Sequence, residues 1–187
     1  MRKAVLISIR PAWCEKILSG EKTIEVRKNR PKIETPFKCY IYCTRFYPGD
    51  PDSMISLKDR KSFFKPESGK VVGEFVCDAI YPISFYASDS SFFDDAPQLS
   101  VPGTCLTDRE IAEYLGNGKT GCGWRISDLK IYDAPLSLDD FMKQPCDFAA
   151  SCGACKHAEW GECHTFQGCA LSVQSAPQSW CYVEELT

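Results

Sequence analysis

The chain has 187 residues, 44% of them hydrophobic and 25% charged, which is enough for one well-buried domain and short for two full-sized ones. No run reaches the roughly eighteen apolar residues of a membrane span, and in "MRKAVLISIRPAW" Ser8 and Arg10 interrupt the apolar run too early for a secretory signal, so a cytoplasmic protein is expected. The net charge of −3 conceals an asymmetry: residues 1 to 45 carry eleven Lys and Arg against four Glu, and the remainder carries eleven against twenty-one acids. A basic N-terminal third on an acidic body argues against a uniformly sticky surface and suggests a site that faces a polyanion.

In chain order, "AVLISI" (4 to 9) reads as a strand and "PAWCEKILSG" (11 to 20) as a short helix. Pro11 suits the first helical position, Trp13, Cys14, Ile17 and Leu18 form one apolar stripe, and Gly20 suits the residue just past the end. "TIEVR" (23 to 27) alternates, which predicts a half-buried strand with Ile24 and Val26 inward and Thr23, Glu25 and Arg27 on the opposite face. "KCYIYCT" (38 to 44) and "KVVGEFVCDAIYPI" (70 to 83) predict more deeply buried strands. Glu74 is the oddity of the latter: it shares a face with Val72 and Val76, so it needs a cleft cation or an exposed edge. Residues 46 to 69 and 87 to 104 read as long loops.

"TDREIAEYLG" (107 to 116) opens on a capping box, Thr107 with Glu110, and closes on Gly116, which predicts a second helix. "GWRISDLKIYDAP" (123 to 135) reads as a strand, "SLDDFM" (137 to 142) as a helical turn and "SWCYVEEL" (179 to 186) as the last strand. The expected class is α+β: a small mixed β-barrel flanked by two or three short helices, the whole chain 1 to 187 forming one domain.

Residues 20 to 27 fit the pattern G-x-K-x-x-E-x-R and follow "SIRPAW" at the distance one short helix requires. This stretch, together with the later "GWRIS", resembles the ASCH domain of the PUA-like superfamily, a small β-barrel often linked to RNA. The resemblance covers residues 4 to 135, resumes at the last strand and leaves 143 to 175 as an insertion. The residues support a site on their own: Glu25 and Arg27 are neighbours on one strand face, and Lys22 stands at the turn that leads into it. Lys22 and Arg27 can hold a phosphate, sugar or base edge while Glu25 accepts from an amine or hydroxyl. A surface ion-pair ladder is the plainer alternative. Arg10, Trp13, Thr44 and Arg45 fall at junctions that would converge on the same cleft, and Trp13 and Trp124 are candidates for base stacking as well as for the core.

The superfamily includes an amidohydrolase that deacylates N4-acetylcytidine. The resemblance would carry a catalytic role onto Lys22, with Glu25 and a helix carboxylate as partners. Glu110 is used by the capping box, which favours Glu113. This chain has Glu25 where that enzyme's pattern has a threonine, so the nucleophile is missing from its expected place.

Of the twelve cysteines, Cys14, Cys39, Cys43, Cys77 and Cys181 lie in apolar runs and read as small core hydrophobes. Cys146, Cys152, Cys155, Cys163 and Cys169 crowd 24 residues that also hold His157 and His164. The C-x-x-C of Cys152 and Cys155 with two further ligands would make a structural zinc site, with an iron–sulfur cluster or redox cysteines as alternatives. The leading expectation is a barrel with a zinc-stapled insertion that binds RNA or a nucleotide-like ligand. The alternatives are hydrolysis of an N4-acylated cytidine or a protein-binding adaptor acting through the zinc module.

Overall fold

A computed structural model describes residues 2–45, 68–84, 101–116, 118–143 and 171–186. The first strand, β1 (Lys3–Ile9), is apolar on both faces because both are covered: Val5, Ile7 and Ile9 enter one core, and Ala4 and Leu6 enter another. It pairs in parallel with β3 (Phe37–Cys43) and antiparallel with β8 (Trp180–Glu184). Helix α1 (Pro11–Leu18) begins on Pro11, buries Cys14 and Ile17, and is followed by Gly20 at φ +79°, as the sequence predicts.

The runs 70 to 83 and 123 to 135, expected as single strands, are each broken. β4 (Lys70–Cys77) gives way to β5 (Ile80–Ser84) at residues 78 and 79, and β6 (Thr120–Arg125) gives way to β7 (Ser127–Leu136) at Ile126. The pairing resumes across the break, with Ile80 opposite Trp124 on one side and, past a register shift between Glu74 and Val76, Glu74 opposite Lys130 on the other. One long two-stranded ribbon therefore turns a corner and contributes to two sheets. Asp78 and Arg125 clamp that corner: Arg125 Nε donates to Asp78 Oδ1 at 2.6 Å, and its Nη2 donates to Oδ2. Those bonds hold the Asp78 carboxyl down at about 2.

The sheets run β7-β4-β3-β1-β8 and β2-β6-β5, where β2 is Ile24–Arg27. This corrects the expectation of a closed barrel: among the described residues β2 pairs only with β6, and the two sheets are joined at the corner. The first core lies between the sheets and α1, and it contains Phe37, Phe75, Cys39, Cys43, Cys77 and Trp124. The second core covers the other face of the larger sheet with Phe141 and Val173. The residues after β7 make a 3-10 turn (Leu138–Asp140), whose Asp140 side chain accepts from the Ser137 N–H at 2.7 Å.

A register shift between Val71 and Gly73 explains Glu74. The bulge places Val71 in the second core and Val72 with Phe75 and Cys77 in the first, so strict alternation fails there. Gly73 is required at that point, since a Cβ would stand 2.5 Å from the Lys130 carbonyl oxygen. Glu74 ends away from the cleft, 3.4 Å from Lys38 Nζ on the neighbouring strand and accepting from Tyr132 Oη at 2.6 Å.

Helix α2 (Asp108–Leu115) carries the predicted capping box in full: the Thr107 N–H donates to Glu110 Oε2 at 2.7 Å, and the Glu110 N–H donates to Thr107 Oγ1. Its Ile111 and Leu115 pack on Val26 and Ile83, making a third small core outside the smaller sheet.

Candidate functional site

β2 is covered on both sides. Val26 faces α2, and Glu25 and Arg27 face back toward the end of β1, so the charged face of the strand is the interior one. Lys22, Glu25 and Arg27 are 2%, 7% and 7% exposed. Groups of this kind are almost never buried unless paired.

The pairing is dense. Lys22 is brought in by the tight end of α1, where its N–H donates to the Lys16 carbonyl at 2.9 Å. Its ammonium donates to the Thr104 carbonyl at 2.7 Å, lies 3.3 Å from Glu25 Oε2, and sits 5.1 Å above the Trp13 ring. Glu25 Oε1 lies 3.0 Å from Arg27 Nη2, which also donates to the Ser8 carbonyl at 2.7 Å. Arg27 Nη1 reaches Ser179 Oγ at 3.4 Å. Two atoms of the cluster stay unsatisfied while buried: Glu25 Oε2, whose approach to Lys22 lacks hydrogen-bond geometry, and Arg27 Nε.

The cluster floors a cavity of about 770 Å³. One wall is formed where the parallel strands β1 and β3 end together, tied by the Thr44 N–H donating to the Ile9 carbonyl at 2.9 Å; it carries Arg10 and Arg45, both exposed. The opposite wall is α2, with Glu110, Glu113 and Tyr114. Gln178 and Ser179, just before β8, close the third side.

The fold brings Arg10, Trp13, Lys22, Glu25, Arg27, Thr44 and Arg45 to one cavity. Trp124 does not line it. Its side chain is fully buried, edge-on to Phe37 with centroids 5.8 Å apart and 6.0 Å from Trp180, so it is a core residue and not a stacking platform. Trp13 is half-buried and reaches both core and cavity, with Lys16 5.5 Å over its ring in addition to Lys22. Glu113 lines the cavity, but its bonded partner is Arg109, whose Nε donates to it at 2.8 Å on the helix surface. Lys22 and Glu113, which the hydrolase alternative needs as a pair, are not in contact in this arrangement. The Thr23 hydroxyl lies against Gly103.

Sequence reasoning missed Thr104, Ser8, Ser179 and Tyr114. Thr104 and Ser179 meet the cluster across 82 and 152 residues of chain, and no local pattern marks such contacts. Tyr114 sits one residue beyond Glu113, on a helix whose outward face gives no sign that it borders a cavity. The proposed metal ligands Cys146, Cys152, Cys155, Cys163 and Cys169 lie outside the described residues. Within the described residues no group of three or more His, Cys, Asp or Glu is placed to hold a metal ion, and no helix is long and apolar enough to cross a membrane.

Among the described residues, the two sheets, three short helical segments and the cleft at the ends of β1 and β3 define an α+β protein with an ASCH-like fold. The ASCH protein of Zymomonas mobilis has a similar structure, with a TM-score of 0.51 and 18% identity over 97% of this chain and 88% of that one. A tyrosine-to-phenylalanine variant of the Zymomonas protein gives 0.52 and 18% over 98% and 92% of the two chains, and a serine-to-alanine variant gives 0.52 and 17% over 98% and 90%. At this identity the likeness is one of fold. No family model and no curated protein matches the sequence.

Proposed function

We propose that the cleft binds RNA or a nucleotide-like ligand, with Lys22, Glu25 and Arg27 as its floor and Arg10 and Arg45 at its mouth. The observation that carries this reading is the buried charge cluster in a roomy cavity. Three charged side chains that are costly to bury line a space large enough for a ligand, and they offer it two cations beside a carboxylate. Nucleotides present the complementary set: anionic phosphate for the rim arginines and base edges with donor beside acceptor for the floor. The resemblance of residues 20 to 27 to the ASCH pattern supports the same reading.

The test is equilibrium binding of fluorescein-labelled single-stranded RNA followed by anisotropy. Arg10→Ala and Arg45→Ala, both exposed and remote from the cores, are each expected to weaken binding about tenfold with the melting temperature unchanged, since charge-assisted contacts are worth about 1.5–3 kcal/mol. Wild-type affinity in both variants would overturn the assignment of the cleft.

We also propose a structural zinc ion held by four of Cys146, Cys152, Cys155, Cys163 and Cys169. The support is the C-x-x-C spacing within a segment poor in apolar residues. Elemental analysis of protein purified without added metal is expected to give about one zinc per chain; less than about half an equivalent would count against the site.

A further inference from the structure

We infer that the cleft accepts a single ribonucleoside monophosphate, entering end-on, and not the interior of an RNA strand. The phosphate would lie at Arg10 and Arg45, the base at the Lys22–Glu25–Arg27 floor, and the ribose diol at Glu110 and Glu113. The inference rests on the nucleotide-binding reading above and narrows it.

The walls of the cavity differ in sign. Arg10 and Arg45 stand where β1 and β3 end, and Glu110 and Glu113 face them from α2. A strand running through would lay successive phosphates along the acidic wall, where like charges repel. One nucleotide meets no such conflict, because its only dense negative charge is at one end and its sugar hydroxyls are donors. The capping box uses Glu110 Oε2 and Arg109 engages Glu113 Oε1, so each carboxylate keeps a second oxygen for a hydroxyl. A donating 2′-hydroxyl is also what separates ribose from deoxyribose.

The aromatic residues argue the same way. Binders of single strands track the backbone with open aromatic faces on which successive bases stack. Among the described residues, the two aromatic rings that line this cavity already carry ammonium groups: Trp13 has Lys22 at 5.1 Å and Lys16 at 5.5 Å, and Tyr114 has Lys28 at 5.3 Å. Recognition then falls to the charged floor, where Lys22 and Arg27 place donors beside the Glu25 carboxylate, an arrangement that suits the edge of one base. A cavity of about 770 Å³ is of the size that encloses one small ligand or cofactor.

The experiment is calorimetric titration of the whole chain with the four ribonucleoside 5′-monophosphates, their 2′-deoxy forms, the nucleosides, and octanucleotides without terminal phosphates. At least one monophosphate is expected to bind about tenfold more tightly than its deoxy form, its nucleoside and the octanucleotide of the same base. Arg10→Ala with Arg45→Ala should abolish the preference for monophosphate over nucleoside, and Glu110→Gln with Glu113→Gln, which leaves only neutral amide acceptors, should reduce the preference for ribose severalfold. Equal binding of the deoxy form, or octanucleotide binding as tight as the monophosphate with a steep salt dependence, overturns the inference while the nucleotide-binding reading stands. If neither monophosphates nor octanucleotides bind, both fail.

Discussion

Replacing Glu25 by alanine should destabilise the protein by about 3–5 kcal/mol, the range for breaking a buried ion pair from one side. The carboxylate lies 3.0 Å from Arg27 and 3.3 Å from Lys22, and all three residues are at most 7% exposed. Without it two cations remain buried together. Lys22 keeps the Thr104 carbonyl and Arg27 keeps the Ser8 carbonyl, but these dipoles do not cancel a net charge. For a chain of this size the loss corresponds to a fall in melting temperature of roughly 10 °C. Glu25→Gln keeps the shape and removes the charge, so it should lose most of the same stability. Replacing all three residues by apolar groups of similar volume should recover it, because buried charge clusters are seldom a net gain. That contrast separates a cluster kept for ligand binding from one that holds the fold. A loss below about 1 kcal/mol in Glu25→Ala, the range of exposed ion pairs, would mean that the cluster is effectively solvated.

The second large effect is at Trp124. Trp124→Ala should cost about 3–5 kcal/mol, as removal of a fully buried aromatic does. The ring fills the first core between Phe37 and Trp180, and its backbone lies opposite Glu25 in the β2–β6 pairing, so the void would open directly behind the charge cluster. Trp124→Phe should be much milder. The indole N–H is buried without an acceptor, and the smaller ring removes that unsatisfied donor while leaving a modest void. Denaturant unfolding would measure both variants. RNA affinity in the Trp124→Phe protein should stay at the wild-type level, because the side chain supports the floor of the cleft without lining it. A large loss of affinity with little loss of stability would return Trp124 to the ligand site.

Much of the local structure was legible because its causes are local. Pro11 and Gly20 bound α1, and Thr107, Glu110 and Gly116 bound α2, each through backbone geometry that a few adjacent residues settle. The alternation of β2 put Glu25 and Arg27 on one face, but it could not say which of two covered faces looks inward. That depends on α2 covering Val26 from outside, a contact made across some 85 residues of chain. The expectation of a barrel failed for a similar reason. The runs 70 to 83 and 123 to 135 are apolar enough to read as continuous strands, and the corner between them depends on the pairing of Asp78 with Arg125, 47 residues apart. Glu74 misled because a bulge at Val71 to Gly73 resets the alternation, and a bulge leaves little trace beyond the glycine itself.

The location of the site is tested most directly by recording backbone amide NMR spectra of the isotope-labelled chain during titration with single-stranded RNA. The largest shifts are expected at Arg10, Trp13, Lys22, Glu25, Arg27, Thr44, Arg45 and Tyr114, residues scattered along the sequence and gathered only by the fold. Shifts confined to other surfaces, such as the exposed outer edge of β7, or no shifts at saturating RNA, would contradict a nucleotide-binding cleft.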